Sequence, residues 1–117
     1  MKKVMIVCLA SDHAGFKMKE NLKKYLHNNR IYYNDLGAYK YKENDDYPDY
    51  AFKLAERVAK NGNTRGILIC GSGAGMIIAA NKVKGIRAVE GYDNYSAKMS
   101  RLDNNANILG LRARSFP

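Results

Sequence analysis

Ile67-Leu-Ile-Cys-Gly-Ser-Gly-Ala-Gly-Met-Ile-Ile-Ala-Ala-Asn81 holds the pattern around which the rest of the chain is arranged. Ile67 to Ile69 reads as a short buried strand running into Cys70. A glycine-rich turn, Gly71 to Gly75, follows, and Met76 to Ala80 continues as an apolar helix. Strand, glycine turn and helix N-terminus in that order present several backbone N–H groups to one anion or oxyanion. The Cys70 thiol falls at the C-terminal end of the strand, where open parallel sheets place their chemistry. A free cysteine is commonly just a small buried hydrophobe, but proximity to a helix N-terminus lowers a thiol pKa, and a modest downward shift suffices for a base near neutrality; the residues alone leave the structural and functional readings even.

Upstream of this stretch, Val4 to Leu9 is a continuous apolar run of buried-strand length. Ser11-Asp12-His13 ends it. Phe16 to Asn28 carries Met18, Leu22, Tyr25 and Leu26 at helical spacing with lysines between them, and Ile31 to Leu36 is a second strand closed by Gly37. Ala38 to Asp49 reads as a polar loop leading into a helix that has Pro48 in its first turn and acids near its positive end. Phe52, Leu54, Ala55, Val58 and Ala59 form that helix's apolar stripe. Downstream, Gly85 to Glu90 is strand-like, Tyr92 to Arg101 is a short helix, Asp103 to Asn107 is a turn cluster, and Ile108 to Leu111 is a fifth strand. Alternating strands and helices predict an α/β sheet, mostly parallel, with helices on both faces. The fifth strand has no helix pattern after it, so part of one sheet face is expected to lack cover.

At 117 residues the chain fits one domain. It is 46% hydrophobic and 26% charged, as globular domains are, and no apolar run approaches the ~20 residues of a membrane span. The basic and apolar start resembles a signal peptide only superficially, because Asp12 and His13 follow at once; a first strand is expected instead. Cys8 and Cys70 both sit in apolar strand-like runs, which suits free thiols in a reducing, cytoplasmic compartment. The net charge of +9 is scattered, without a dense arm or an RNA-recognition motif. Solvated lysines on helix faces are the expected source of the excess, and a small anionic substrate would also suit it better than nucleic acid does.

Commoner glycine motifs do not fit. A dinucleotide fingerprint counted from Gly71 or Gly73 ends on Met76 or Ile78, and a phosphate-binding loop of the Gly-Lys-Ser/Thr kind is absent. Gly71-Ser72-Gly73 lacks the G-x-S-x-G spacing of a hydrolase elbow, and the two histidines and two cysteines match no zinc spacing. What remains is a pair of strand ends, Asp12-His13 and Cys70-Gly-Ser-Gly73, that an open sheet would bring side by side.

Ser11-Asp-His-Ala-Gly-Phe-Lys17, Asp46-Tyr-Pro-Asp-Tyr-Ala51, Gly66-Ile-Leu-Ile-Cys-Gly-Ser-Gly-Ala-Gly75 and Ala80-Asn-Lys-Val-Lys-Gly-Ile-Arg-Ala88 together resemble the ribose/galactose-phosphate isomerase family, nearest its type B ribose-5-phosphate isomerases. Ser96-Ala-Lys-Met-Ser-Arg101 and Asn104-Asn-Ala-Asn-Ile-Leu109 are similar as well. The resemblance implies a single Rossmann-like α/β/α domain over residues 1–117, a homodimer or homotetramer, and no metal or nucleotide cofactor. It implies interconversion of ribose 5-phosphate and ribulose 5-phosphate through a cis-enediolate, with galactose or allose 6-phosphate as alternative substrates.

Family roles transfer only where residues match. Cys70 corresponds to the base that moves a proton between C1 and C2, and Ser72 to the hydroxyl that shuttles a proton between the sugar oxygens. The N–H groups of Gly71, Gly73, Ala74 and Gly75 would hold the enediolate charge. Asp12, His13, Tyr47, Asn104 and Arg114 match substrate contacts, some delivered from a neighbouring subunit. Where the family carries a histidine that opens the furanose ring, this chain has Asp103. A carboxylate serves there only with a raised pKa, for instance from burial. The family also continues into a further helix and an arginine-bearing tail. This chain is expected to be short at its C-terminus, leaving phosphate to His13, Arg114 and nearby lysines, and a sugar-phosphate binder with little turnover is the other expectation.

Overall fold

The computed structural model describes residues 4–40 and 47–114, with the Tyr47 side chain outside that description. The chain order is β1 (Ile6–Ser11), α1 (Phe16–Asn28), β2 (Tyr33–Asp35), α2 (Tyr47–Lys60), β3 (Thr64–Cys70), α3 (Gly75–Ala80), β4 (Ala88–Glu90), α4 (Asn94–Asn104) and β5 (Ile108–Arg112). The strands form one five-stranded sheet in the order β2-β1-β3-β5-β4, every pair parallel. The apolar runs read as buried strands are its central members, β1, β3 and β5.

One face is dry. Cys8 and Ala10 of β1, Leu68 of β3 and Ile108 of β5 pack under Leu54, Ala55 and Val58 of α2 and Met76 and Ala80 of α3. Leu54 and Leu68 are almost wholly removed from water; each such side chain contributes about 1.5–3 kcal/mol. The other face carries α1 and α4. There Val7, Ile67 and Leu109 stay half-buried along a shallow groove beside Ala97 and Ala106, in the region where the strand pattern left no helix to cover the sheet. No helix among the described residues is long and apolar enough to cross a membrane.

The differences from the sequence reading have local causes. Strand β1 lies two positions later than the apolar run, leaving Val4 and Met5 exposed. Polar Ser11 belongs to the ladder because its N–H donates to the Gly37 carbonyl at 2.8 Å and its carbonyl accepts from Ala38 at 3.0 Å. Strand β3 likewise begins at Thr64, before the isoleucines. The expected turn at Asp103 and Asn104 is instead the last turn of α4. That helix starts from a reciprocal cap: Asp93 accepts the Ser96 N–H at 2.7 Å while the Ser96 hydroxyl accepts the Asp93 N–H at 3.1 Å. It stops only at Asn105, which takes the left-handed conformation, φ 51°, that asparagine tolerates. Of the loop expected over 38–49, residues 41–46 lie outside the described residues and 47–49 already belong to α2.

Parallel register aligns the strand ends that matter. Ser11 pairs with Ile69, and Cys70 pairs with Arg112. The turn after β1, the glycine turn after β3 and the segment after β5 therefore emerge along one edge of the sheet.

Candidate active site

Cys70 ends β3 with 4% of its surface exposed. Its carbonyl accepts the Ala113 N–H at 2.9 Å, tying the strand end to the chain leaving β5. The chain then folds back so that the Gly73 N–H donates to the Cys70 sulfur at 3.2 Å. Gly73 reaches this pose with φ +80°, where an L side chain is strained, and a β-carbon on it would lie 2.7 Å from Glu90 Oε1. Ser72 is exposed at the apex, its hydroxyl accepting the Ala74 N–H at 3.2 Å. The N–H groups of Gly75 and Met76 open α3 and, as first-turn donors, have no intrahelical acceptor.

The turn after β1 is locked against this cradle. The Asp12 N–H donates to the Ile69 carbonyl at 3.3 Å, and its Oδ1 accepts the Gly15 N–H at 3.0 Å. Gly15 crosses so close to the Ile69 backbone that a β-carbon has no room. Asp12 is buried and His13 half-buried in the same turn. From the other side, the Arg114 N–H donates to the Gly71 carbonyl at 3.1 Å. Its guanidinium folds over Gly71, with Cζ 2.9 Å from where a β-carbon would be. The edge thus gathers a thiol, a hydroxyl, unpaired amides, an imidazole and a guanidinium. That set suits a small anion bearing a proton to be moved.

Of the predicted site residues, Cys70, Ser72, Gly71, Gly73, Ala74, Gly75, Asp12, His13 and Arg114 come together. Asp103 and Asn104 do not. They end α4 at the opposite edge of the sheet, where the Asn104 carbonyl accepts from Arg87 at 3.2 Å and Asn107 accepts the Gly66 N–H at 2.9 Å. The chain just after them bonds at Gly66, four residues before Cys70 in β3, or about 13 Å of strand at ~3.3 Å each. Asp103 is also exposed, so this chain alone does not provide the burial foreseen for an acid at that position. Tyr47 opens α2, its side chain outside the described residues.

The two thiols differ in kind. Burial pushes Cys8 up, against the opposing charge of Arg57, and Cys8 lies in the middle of β1, away from the functional edge. Sequence reasoning missed Glu90, whose carboxylate backs Gly73; its position at the end of β4 was the available signal. It also missed Lys19. That residue stands three before Leu22 and seven before Leu26, on the inner side of α1, and is fully buried.

Residues 7–116 match the family described as ribose/galactose isomerase. Ribose-5-phosphate isomerase B of Escherichia coli is 42% identical over 114 residues, covering 97% of this chain and 74% of that protein. D-erythrulose-4-phosphate isomerase of Pectobacterium atrosepticum is 39% identical over 111 residues, covering 95% and 73%. Among solved structures, ribose-5-phosphate isomerase B from Mycoplasma genitalium with bound ribulose-5-phosphate superposes with a TM-score of 0.92 at 40% identity, covering 97% of this chain and 75% of that one.

Proposed function

Because this chain belongs to the ribose/galactose isomerase family, we propose that it interconverts ribose 5-phosphate and ribulose 5-phosphate, with Cys70 as the base. The observation that carries this reading is the Gly73 N–H on the Cys70 sulfur at 3.2 Å, in a turn that runs directly into the N-terminus of α3. The Cys70 thiolate takes the C2 proton of the open-chain aldose, giving a cis-enediolate and a thiol. The same thiol returns the proton to C1, while the Ser72 hydroxyl carries a proton from O2 to O1. Nothing is oxidised or reduced overall. Amides of the glycine turn hold the enediolate oxygen, an arrangement whose single donors are worth about 3–4 kcal/mol in the transition state. His13 and Arg114 take the phosphate, and Asp12 takes a sugar hydroxyl.

Asp103 and Asn104 stand at the opposite edge of the sheet from Cys70, so they reach the sugar only from a second copy of the chain. The working form in this reading is a homodimer or homotetramer. The two free, buried thiols suit a reducing cytoplasm.

Asp103 favours a second substrate. A tetrulose phosphorylated on O4 has no free hydroxyl able to close a furanose on its carbonyl, so it needs no ring-opening acid, and one relative carries the name D-erythrulose-4-phosphate isomerase. Steady-state assays with ribose 5-phosphate and erythrulose 4-phosphate separate the readings. Turnover of ribose 5-phosphate at the higher kcat/KM supports the first, and the reverse order supports the second. Binding of both by calorimetry without turnover of either would reduce the chain to a sugar-phosphate binder.

A further inference from the structure

The Lys19 side chain has no exposed surface, yet it carries a charge into the interface between α1 and the sheet. Its ammonium donates to Asp35 Oδ2 at 2.6 Å and lies 5.4 Å from the centre of the Phe16 ring. Lys23 Nζ reaches the same carboxylate oxygen at 2.9 Å and Glu20 Oε2 at 2.9 Å. A buried ion pair of this kind is not an efficient way to stabilise a fold, because apolar residues of similar volume often do as well or better. What it does supply is direction.

Asp35 is the last residue of β2, and its second oxygen, Oδ1, accepts the Gly37 N–H at 2.9 Å. The Gly37 carbonyl accepts the Ser11 N–H at 2.8 Å, and Ser11 immediately precedes Asp12 and His13. At its other end, the Lys19 backbone N–H donates to the Gly15 carbonyl at 2.9 Å, and the Gly15 N–H is the group that Asp12 Oδ1 holds. One residue is thereby bonded to both flanks of the Asp12–His13 turn: through its ammonium and Asp35 to the strand before it, and through its backbone to the glycine after it.

We propose that Lys19 and Asp35 form a positioning pair that fixes the Asp12–His13 turn for substrate binding. The proposal rests on the reading above in which Asp12 and His13 contact the sugar phosphate. Displacement of a positioning group by about 1 Å costs on the order of 100-fold in rate, so a pair buried one layer behind the site is sufficient to govern it.

The test is the double variant Lys19→Met/Asp35→Leu, which replaces the pair with apolar side chains, assayed alongside wild type with ribose 5-phosphate. Amide hydrogen exchange is followed at Gly15, with Leu68 in β3 as the internal reference. The expected result is a KM raised about tenfold or more with kcat within about threefold, together with faster exchange at Gly15 and unchanged exchange at Leu68. If this variant does not fold, Lys19→Met/Asp35→Asn keeps an acceptor for the Gly37 N–H and is expected to show the same pattern at about threefold in KM. A folded variant with wild-type KM and wild-type Gly15 exchange overturns the proposal. Faster Gly15 exchange with an unchanged KM overturns it as well, and places the fault in the assignment of Asp12 and His13 to substrate. Should wild type not turn over ribose 5-phosphate, the isomerase reading falls, while Gly15 exchange still decides whether the pair holds the turn.

Discussion

Arg114 and Gly71 are in mutual contact through both backbone and side chain: the Arg114 N–H donates to the Gly71 carbonyl at 3.1 Å, and the guanidinium lies over the glycine Cα. A cation is thus held over the mouth of the cradle by a residue without a side chain. Replacing Arg114 by Met is expected to raise KM for ribose 5-phosphate about 10- to 100-fold, the loss of one charge-assisted contact of about 1.5–3 kcal/mol. Gly71→Ala pushes against a flexible side chain only, so it is expected to raise KM in the same direction with little change in thermal stability. An unchanged KM in both would remove Arg114 from phosphate binding.

Cys70→Ala deletes the proposed base while leaving a small apolar side chain in a nearly closed site. The expected loss in kcat is about 100- to 10,000-fold, the usual contribution of a general base, with a Tm shift of a few degrees at most. Cys8→Ala provides the contrast: it also empties a buried position but is expected to leave kcat unchanged. Equal kcat values for Cys70→Ala and wild type would refute the role assigned to Cys70.

Gly73 and Gly15 are expected to respond differently to alanine. At Gly73 the cost is the left-handed backbone, about 1–2 kcal/mol, plus displacement of Glu90, and the Gly73 N–H loses its aim at the Cys70 sulfur. A fall in kcat larger than the stability change warrants is the expected signature. At Gly15 the obstacle is the Ile69 backbone itself, which cannot swing aside. Gly15→Ala is expected to lower stability by about 2–3 kcal/mol, read by urea denaturation.

Asp35 sets a pH dependence. Burial alone would raise its pKa, but hydrogen bonds from Lys19, Lys23 and the Gly37 N–H outweigh burial and lower it. A carboxyl that titrates below its unfolded value, about 3.9, makes the unfolded chain the better proton binder in that window. Its stabilisation is fully present above about pH 5 and is lost as pH falls through the folded value. Lys23 runs the other way: hydrogen bonds to Asp35 and Glu20 raise its pKa, so its contribution is intact below about pH 10 and is lost as pH climbs past it. In urea titrations from pH 6 down to 3, Asp35→Asn is expected to flatten the acid limb. An acid limb as steep as that of wild type would show that other carboxylates govern it.

Much of this arrangement was legible in the residues. Continuous apolar runs marked β1, β3 and β5, and the Cys70-to-Gly75 pattern placed the cradle, because both signals are local. The boundaries of α1 were readable for the same reason. Long-range pairing was not readable: nothing near Ser11 announces that Gly37 and Ala38 will extend its strand. The charge of Lys19 masks its place on the inner stripe, and the carboxylate that accepts its ammonium, Asp35, is sixteen residues away. Asp103 and Asn104 looked like a turn because aspartate and asparagine favour turns, yet the cap at Asp93 and Ser96 carries α4 through them. Glu90 was passed over because its significance comes from Gly73, on a segment two elements earlier.

In the dimer proposed above, the catalytic unit divides between chains, with Cys70 from one and Asn104 from the other. Cys70→Ala and Asn104→Ala are each expected to be inactive as a pure protein, because on that proposal they spoil opposite contributors to one site. In a mixed dimer both lesions fall in one site and the other is left whole. Random reassortment of equal amounts of the two is therefore expected to restore about a quarter of wild-type activity, and the recovery should fade on dilution as the partners separate.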